Sequence, residues 1–256
     1  MQVTLLPSSV SDSAEGAPQF LTSYLINDTV AIDAGALGMY GTVEQQSRIK
    51  HVLLSHSHMD HIGSLPVLLE NAFEGKRDCT TVYGSAAVIE SLRRDIFNGR
   101  VWPDFIALST PEAPFLRIQE LRNGEPLELD GLRITPVAVE HVVPTDGFII
   151  EDANSAIAIV SDTGPTSEIW RRAGMTAHLQ AVFLEATFPE LMGWLADVTR
   201  HLTPAMFAAE VQKLGRPARI IAVHIKPRFQ EQVIRELLEL KIPGLEIGRA
   251  GHPYTF

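Results

Sequence analysis

The feature that most constrains this chain is the run His56-Ser57-His58-Met59-Asp60-His61, in which four of six residues are metal-ligand types. A neutral imidazole offers one ring nitrogen to a cation, and a carboxylate offers oxygen. Val52-Leu53-Leu54-Ser55 ahead of the run reads as a strand. Ile62-Gly63-Ser64-Leu65-Pro66-Val67-Leu68-Leu69 behind it reads as a loop entering a helix. Ligand-type residues at the exit of a strand stand where an α/β fold places its chemistry.

At 256 residues the chain has ample length for a substantial core. It shows no repeat, low-complexity block or long linker, so the expectation is a single domain over residues 1–256. A formal net charge of -10 argues against a protein that lives on nucleic-acid phosphates, and no stable nucleic-acid binding is expected. A small anionic substrate is compatible with that charge, because bound cations supply local positive potential. The single cysteine, Cys79, excludes an intrachain disulfide framework and a cysteine-rich zinc site, and is read as structural. The N-terminus lacks the basic start and apolar stretch of a signal peptide. No segment approaches the roughly 18 apolar residues of a membrane span, so a soluble cytoplasmic protein is expected.

Taken in order, residues 2 to 6 read as a strand, followed by a polar loop from Pro7 to Pro18. Phe20 to Ile26 and Thr29 to Ile32 read as a pair turning at Asn27-Asp28. The second strand ends on Asp33-Ala34-Gly35, where the carboxylate serves either the turn or the support of a liganding imidazole. Val43 to Lys50 reads as a short helix and Thr80 to Tyr83 as a strand. Ser85 to Phe97 reads as a helix with Ser85 as its N-cap. The aromatic segment Phe97 to Phe105 either packs in the core or shapes a pocket. Leu127 to Leu129 and Leu132 to Val139 form a hairpin around Asp130-Gly131. Gly147 to Ile150 pairs with Ser155 to Val160. Val182 to Glu185 and Ile220 to His224 are further strands, and Phe229 to Leu240 is an amphipathic helix.

Three isolated ligand types gain meaning from this pattern. His141, Asp162 and His224 each follow an apolar, β-favouring run, and an α/β sheet brings such ends to a common edge. His51, His178 and His252 are read as surface or packing residues, with His252 the one outsider retained near the site. Glu185 ends a strand. His201 enters a helix, with Thr203 as N-cap and Pro204 in its first turn.

With these residues assembled, the sequence resembles the metallo-β-lactamase-fold hydrolases, whose motif is H-x-H-x-D-H followed by distant His, Asp and His. The resemblance implies an αββα four-layer sandwich of two facing mixed sheets with helices outside. It implies that His56, His58 and His141 hold a first metal, that Asp60, His61 and His224 hold a second, and that Asp162 bridges both. Asp33 then matches the fold's first motif as a supporting residue. Two divalent ions are implied: zinc suits the ligands, and manganese or iron also fits mixed N/O sites.

Within that superfamily the chain is most similar to the class II 3′,5′-cyclic-nucleotide phosphodiesterases. The similarity rests on Ser55 to His61, on Ile96-Phe97-Asn98 with Trp102-Pro103-Asp104-Phe105, on His201-Leu202-Thr203-Pro204, and on His224-Ile225-Lys226-Pro227. It implies hydrolysis of cyclic AMP, and of cyclic GMP as a second candidate, to the 5′-monophosphate by a metal-bridging hydroxide. His201, supported by Glu185, would protonate the leaving oxygen, and Asp60 is counted with the catalytic groups. Lys226, Thr145, Asn98 and Trp102 are the expected substrate contacts. Gly147-Phe148 departs from the polar loop the family leads one to expect. A tRNA 3′-processing endonuclease, which shares the Glu185-Ala186-Thr187-Phe188 flavour, is the alternative, and a metal-dependent ligand sensor without turnover the third. Neither the nucleotide preference nor the oligomeric state, a homodimer included, is fixed by the sequence.

Overall fold

The computed structural model describes residues 1–8 and 21–256, so most of the polar loop expected over Pro7 to Pro18 lies outside the described residues. Two compact units emerge: Gln2–Arg122 with Ala250–Thr255, and Asn123–Arg249 with Met1 and Phe256. Each holds a seven-stranded mixed sheet and its own apolar core.

The first unit carries β1 (Gln2–Leu5), β2 (Tyr24–Ile26), β3 (Val30–Ile32), α1 (Val43–Ser47), β4 (His51–Leu53), α2 (Met59–Ile62) and α3 (Leu65–Asn71). It continues with β5 (Thr81–Gly84), α4 (Ala86–Ser91), α5 (Phe105–Leu108) and β6 (Arg117–Glu120). The strand Pro253–Thr255, β14, closes the order β14-β1-β2-β3-β4-β5-β6. The β2–β3 hairpin turns at Asn27 and Asp28, whose φ values of 48° and 62° are both positive. That backbone matches strand twist, and Asn and Asp tolerate it. Leu65, Leu68 and Leu69, spaced for one helix face, seat α3 in the core.

Ser85 caps α4 as expected, accepting a hydrogen bond from the Val88 amide. The helix does not run evenly to Phe97: Leu92–Ile96 forms a π turn closed by the Phe97 amide on the Leu92 carbonyl at 2.8 Å. The wider turn lets the consecutive residues Ile96 and Phe97 both be buried.

The second unit carries β7 (Leu127–Leu129), β8 (Leu132–Val139), β9 (Thr145–Glu151), β10 (Ala156–Ile159), α6 (Glu168–Met175) and β11 (Leu179–Glu185). Then come α7 (Gly193–Thr199), α8 (Pro204–Gln212), β12 (Arg219–Val223), α9 (Gln230–Glu239) and β13 (Leu245–Ile247), in the sheet order β13-β12-β11-β10-β9-β8-β7. The β7–β8 turn at Asp130-Gly131 again has both φ values positive. Gly147 lies inside β9 and not in a loop. A Cβ there would stand 2.5 Å from Ile169 Cδ1 and 2.8 Å from the Val160 carbonyl, which explains the absence of a side chain.

The two sheets share one pairing scheme although the sequence shows no repeat. From β14 to β3, and again from β7 to β10, neighbours are antiparallel. From β3 to β6, and again from β10 to β13, they are parallel. Parallel neighbours need helical crossovers, so the chain leaves each such strand at the same end, and the chemistry-bearing residues collect there. Three of these exits are left-handed at non-glycine residues: Asp33, Ser161 and His224, with φ of 62°, 64° and 53°. Each costs roughly 1–2 kcal/mol relative to ordinary backbone, and such strain concentrates at functional sites. No helix among the described residues is long and apolar enough to cross a membrane.

Candidate metal centre

In the first unit the site grows from two adjacent parallel strands. Asp33 follows β3, and Ser55 and His56 follow β4 by two and three residues. The buried Asp33 carboxylate gathers three donors: the Ser55 amide (2.8 Å), the Ser55 hydroxyl (2.8 Å) and His61 Nδ1 (2.7 Å). The Ser55 oxygen, having given its hydrogen to Asp33, accepts from His56 Nδ1 at 2.9 Å. One carboxylate thus fixes the tautomers of two buried imidazoles, placing their protons on Nδ1 and leaving Nε2 as the lone-pair nitrogen of each. His56 Nε2 stands 3.0 Å from His58 Nδ1, and the His56 ring centroid lies 4.1 Å from that of His61. Neutral nitrogens crowded this closely suit a shared cation.

The single turn of α2 turns Asp60 and His61 back beside that pair. Its entry is tied down by the Thr22 amide on the Asp60 carbonyl (2.7 Å) and the Ala34 amide on the His61 carbonyl (2.6 Å). A Cβ at Gly35 would lie 2.0 Å from the Asp60 carbonyl oxygen, so only glycine lets the two chain segments approach.

In the second unit the strand ends deliver His141, Asp162, Glu185 and His224, and the turn after α7 delivers His201. Ligand-type atoms of Asp162, His201 and His224 lie within 4.8 Å of one another. Asp162 Oδ2 is 3.3 Å from His224 Nε2, and the His201 and His224 rings stack with centroids 5.8 Å apart. His141 Nδ1 donates to the Arg200 carbonyl at 2.9 Å, which again leaves Nε2 as the ligand nitrogen. Burial pushes the His141 imidazole below its ordinary pKa, which favours the neutral form that a metal needs.

Glu185 is buried, and five donors converge on it. Oε1 accepts from the Thr163 amide (3.1 Å) and His201 Nδ1 (2.6 Å). Oε2 accepts from the Thr187 amide (3.1 Å), the Thr187 hydroxyl (2.5 Å) and the Leu202 amide (3.2 Å). Such a cradle suits an acceptor-only carboxylate anion. Burial disfavours the charged His201 ring, but the charge and hydrogen bond of Glu185 override it and raise its pKa above the usual histidine value.

The other expected residues fall in different surroundings. Lys226 Nζ stands 3.3 Å from His224 Nε2. Thr145 is buried at the start of β9, and its hydroxyl donates to the Val143 carbonyl. The Asn98 side chain closes its own turn, donating to the Arg94 carbonyl and accepting from the Arg100 and Val101 amides. Of the two readings of the aromatic segment, core packing describes Phe97 and Phe105, which are buried and stacked on one another. Trp102 sits edge-on to Phe105, with its indole N–H buried and without a hydrogen-bond partner among the described residues. His51 Nδ1 meets the Tyr83 hydroxyl, and the exposed His252 packs edge-on to Tyr254. Ser55, Thr163 and Thr187, none of them given a role from the sequence, orient Asp33, Glu185 and the imidazoles beside them. The signal that could have found them was their position one or two residues from a ligand or acid candidate.

Comparison with known proteins gives the family and the fold. A family model described as a β-lactamase superfamily domain matches residues 31–225. A probable 3′,5′-cyclic-nucleotide phosphodiesterase of Yersinia pestis is 29% identical over 233 residues; the match covers 80% of this chain but only 65% of that protein's length. A ribonuclease Z of Listeria monocytogenes is 27% identical over 231 residues, covering 75% of each chain. The crystal structure of unliganded yeast PDE1 superposes with a TM-score of 0.78 at 18% identity, covering 98% of both chains, a likeness that shows the fold.

Proposed function

Because the chain belongs to the β-lactamase superfamily and carries the metallo-β-lactamase-type fold, we propose that it is a dinuclear metal-dependent phosphodiesterase that hydrolyses 3′,5′-cyclic nucleotides to 5′-monophosphates. In this reading His56, His58, Asp60, His61, His141, Asp162 and His224 would hold two divalent ions, zinc being the best match to the donors. When bound, two such ions would supply Lewis-acid stabilisation of the phosphoryl oxygens and would lower the pKa of a water toward neutrality.

One observation carries the choice of reaction: the His201–Glu185 pair. A sugar oxygen is a poor leaving group and departs readily only as it gains a proton. Glu185 Oε1 holds the Nδ1 proton of His201 at 2.6 Å, so Nε2 is the atom that delivers a proton to the departing 3′ oxygen. Asp33 and Ser55 hold the ligand tautomers, and Lys226 adds positive charge beside His224 for the phosphate. Thr145 and Asn98 direct polar atoms to their own backbone, which makes Lys226 the best supported of the expected substrate contacts. A cytoplasmic setting is part of the reading, with Cys79 suited to a reducing compartment.

The test is side-by-side turnover of cyclic AMP, cyclic GMP, a generic phosphodiester and a tRNA precursor by the metal-loaded protein. The reading expects cyclic-nucleotide hydrolysis well above the generic ester, with release of the 5′-monophosphate. Cleavage of the tRNA precursor alone would instead favour the ribonuclease Z reading, which the Listeria relative supports and the net charge of -10 opposes. His201→Ala should lower kcat on a cyclic nucleotide by roughly 10²–10⁴-fold, the span of general acid catalysis, with both metals retained by elemental analysis. Undiminished turnover would remove His201 from the mechanism.

A further inference from the structure

We propose that Arg200 is a specificity-determining residue that contacts the phosphoryl group of the substrate. The proposal rests on the phosphodiesterase reading above and adds to it a contact outside the metal ligands.

Arg200 occupies the C-terminal cap of α7 in a left-handed conformation, φ 55° and ψ 55°. Glycine meets that geometry without strain, and a long side chain there is a cost that the cap does not require. Its backbone is already part of the site: the Arg200 carbonyl accepts from His141 Nδ1 at 2.9 Å, and the next residue is His201. The side-chain stem passes over Gly164. Arg200 Cδ lies 3.4 Å from where a Cβ of Gly164 would stand, and the Gly164 amide donates to the Glu140 carbonyl at 2.6 Å. The stem therefore crosses the two segments that carry His141 and Asp162.

The guanidinium itself is exposed, and among the described residues it forms no ion pair or hydrogen bond. Arg133, Arg171, Arg172 and Arg219 of the same unit are ion-paired, whereas Arg228 and Arg235, like Arg200, are exposed without an ion pair among the described residues; Arg200 differs from those two in its place next to His201 and over Gly164. A planar fork of N–H donors on a stem that passes over Gly164, two residues from Asp162, matches two oxygens of a phosphodiester anion. It also answers an electrostatic need, since a chain of net charge -10 must gather local cations to draw in an anionic substrate.

The experiment uses the full, metal-loaded chain as parent, Arg200→Gly and Arg200→Lys. Glycine relaxes the left-handed backbone, so its melting temperature should equal or exceed the parent's, which separates loss of contact from loss of fold. The affinity for inorganic phosphate and for 5′-AMP is measured by calorimetry at two salt concentrations, and KM and kcat for cyclic AMP are measured beside it. Arg200→Gly should weaken phosphate binding and raise KM by about tenfold, the worth of one charge-assisted hydrogen bond. Its kcat should stay within about twofold, because an unchanged kcat marks a contact made equally in ground and transition states. Its salt dependence should be shallower than the parent's, and Arg200→Lys should fall between the two. Phosphate affinity and KM unchanged in the glycine variant, or a parent that binds no phosphate, would overturn the proposal. A parent that binds phosphate but turns over no cyclic nucleotide would overturn the proposed function, while the role of Arg200 would still be decided by the phosphate measurement.

Discussion

At the scale of the residue, the site depends on protons being on the right nitrogens. Ser55 is the pivot: its hydroxyl gives its hydrogen to Asp33 and takes one from His56. Ser55→Ala keeps the volume nearly unchanged but leaves His56 Nδ1 without that acceptor, so the ring is free to carry its proton on the ligand nitrogen instead. Metal affinity should fall by about 10–100-fold, the usual effect of losing such a partner, with the apoprotein's melting temperature lowered only slightly. Competition with a chromophoric chelator reads it directly, and an unchanged affinity would mean that the metals alone fix the tautomer. The ligand-type residues themselves were legible because they are local in sequence or follow apolar runs. The cradle around Glu185 was not. It joins Thr163, Thr187 and Leu202 through three backbone amides and the Thr187 hydroxyl, and such bonds follow from how strand ends and loops meet in space, which a single sequence does not display.

At the scale of the element, β9 carries an uncommon burden. Asp146 lies within it, buried, and desolvation alone pushes its pKa up to about 6. An acid whose folded pKa is raised binds its proton more tightly in the native state. The stability that goes with the protonated form is therefore full at about pH 4 and is lost as pH rises through about 6. Asp146→Asn should stabilise the protein at pH 8 by on the order of 1–3 kcal/mol and make little difference near pH 4. Urea unfolding of the metal-free forms at both pH values checks this, and an equal gap at the two would refute it. Elements also show where patterns mislead. The run Ser85 to Phe97 reads as one helix because its period is helical up to Leu92, while the burial of both Ile96 and Phe97 is met by a π turn. α7 gave no signal because Trp194 and Val198 are exposed, so its apolar residues do not mark a core-facing stripe. The edge strand β6, Arg117-Ile118-Gln119-Glu120, is mostly exposed and lacks the alternation that betrays a half-buried strand.

At the scale of the molecule, each unit carries its own set of ligand-type residues, so metal should stabilise each of them. Ligand binding to the native state adds RT ln(1 + [L]/Kd), about 2.7 kcal/mol at a hundredfold excess over Kd. Chelation should lower the melting temperature and, by amide hydrogen exchange, deprotect residues 33–35 and 55–62 together with 161–164 and 224–226. Deprotection confined to one group would show that only one unit binds metal.

The pairing of β14 with β1 has a consequence for synthesis. The first unit is not continuous in sequence: the outer edge of β1, at residues Gln2 to Thr4, receives its neighbour only from Pro253 to Thr255. At roughly 5–20 residues per second of translation, Asn123 to Arg249 of the second unit are made before the strand that pairs with that edge. For some tens of seconds, by the same rate, the nascent protein presents a row of open amides and carbonyls, the template for unwanted strand addition. Crowded expression, slow codons for residues 249 to 255, or deletion of Pro253 to Thr255 should all lengthen that exposure. They should lower soluble yield without touching a single residue of the metal centre.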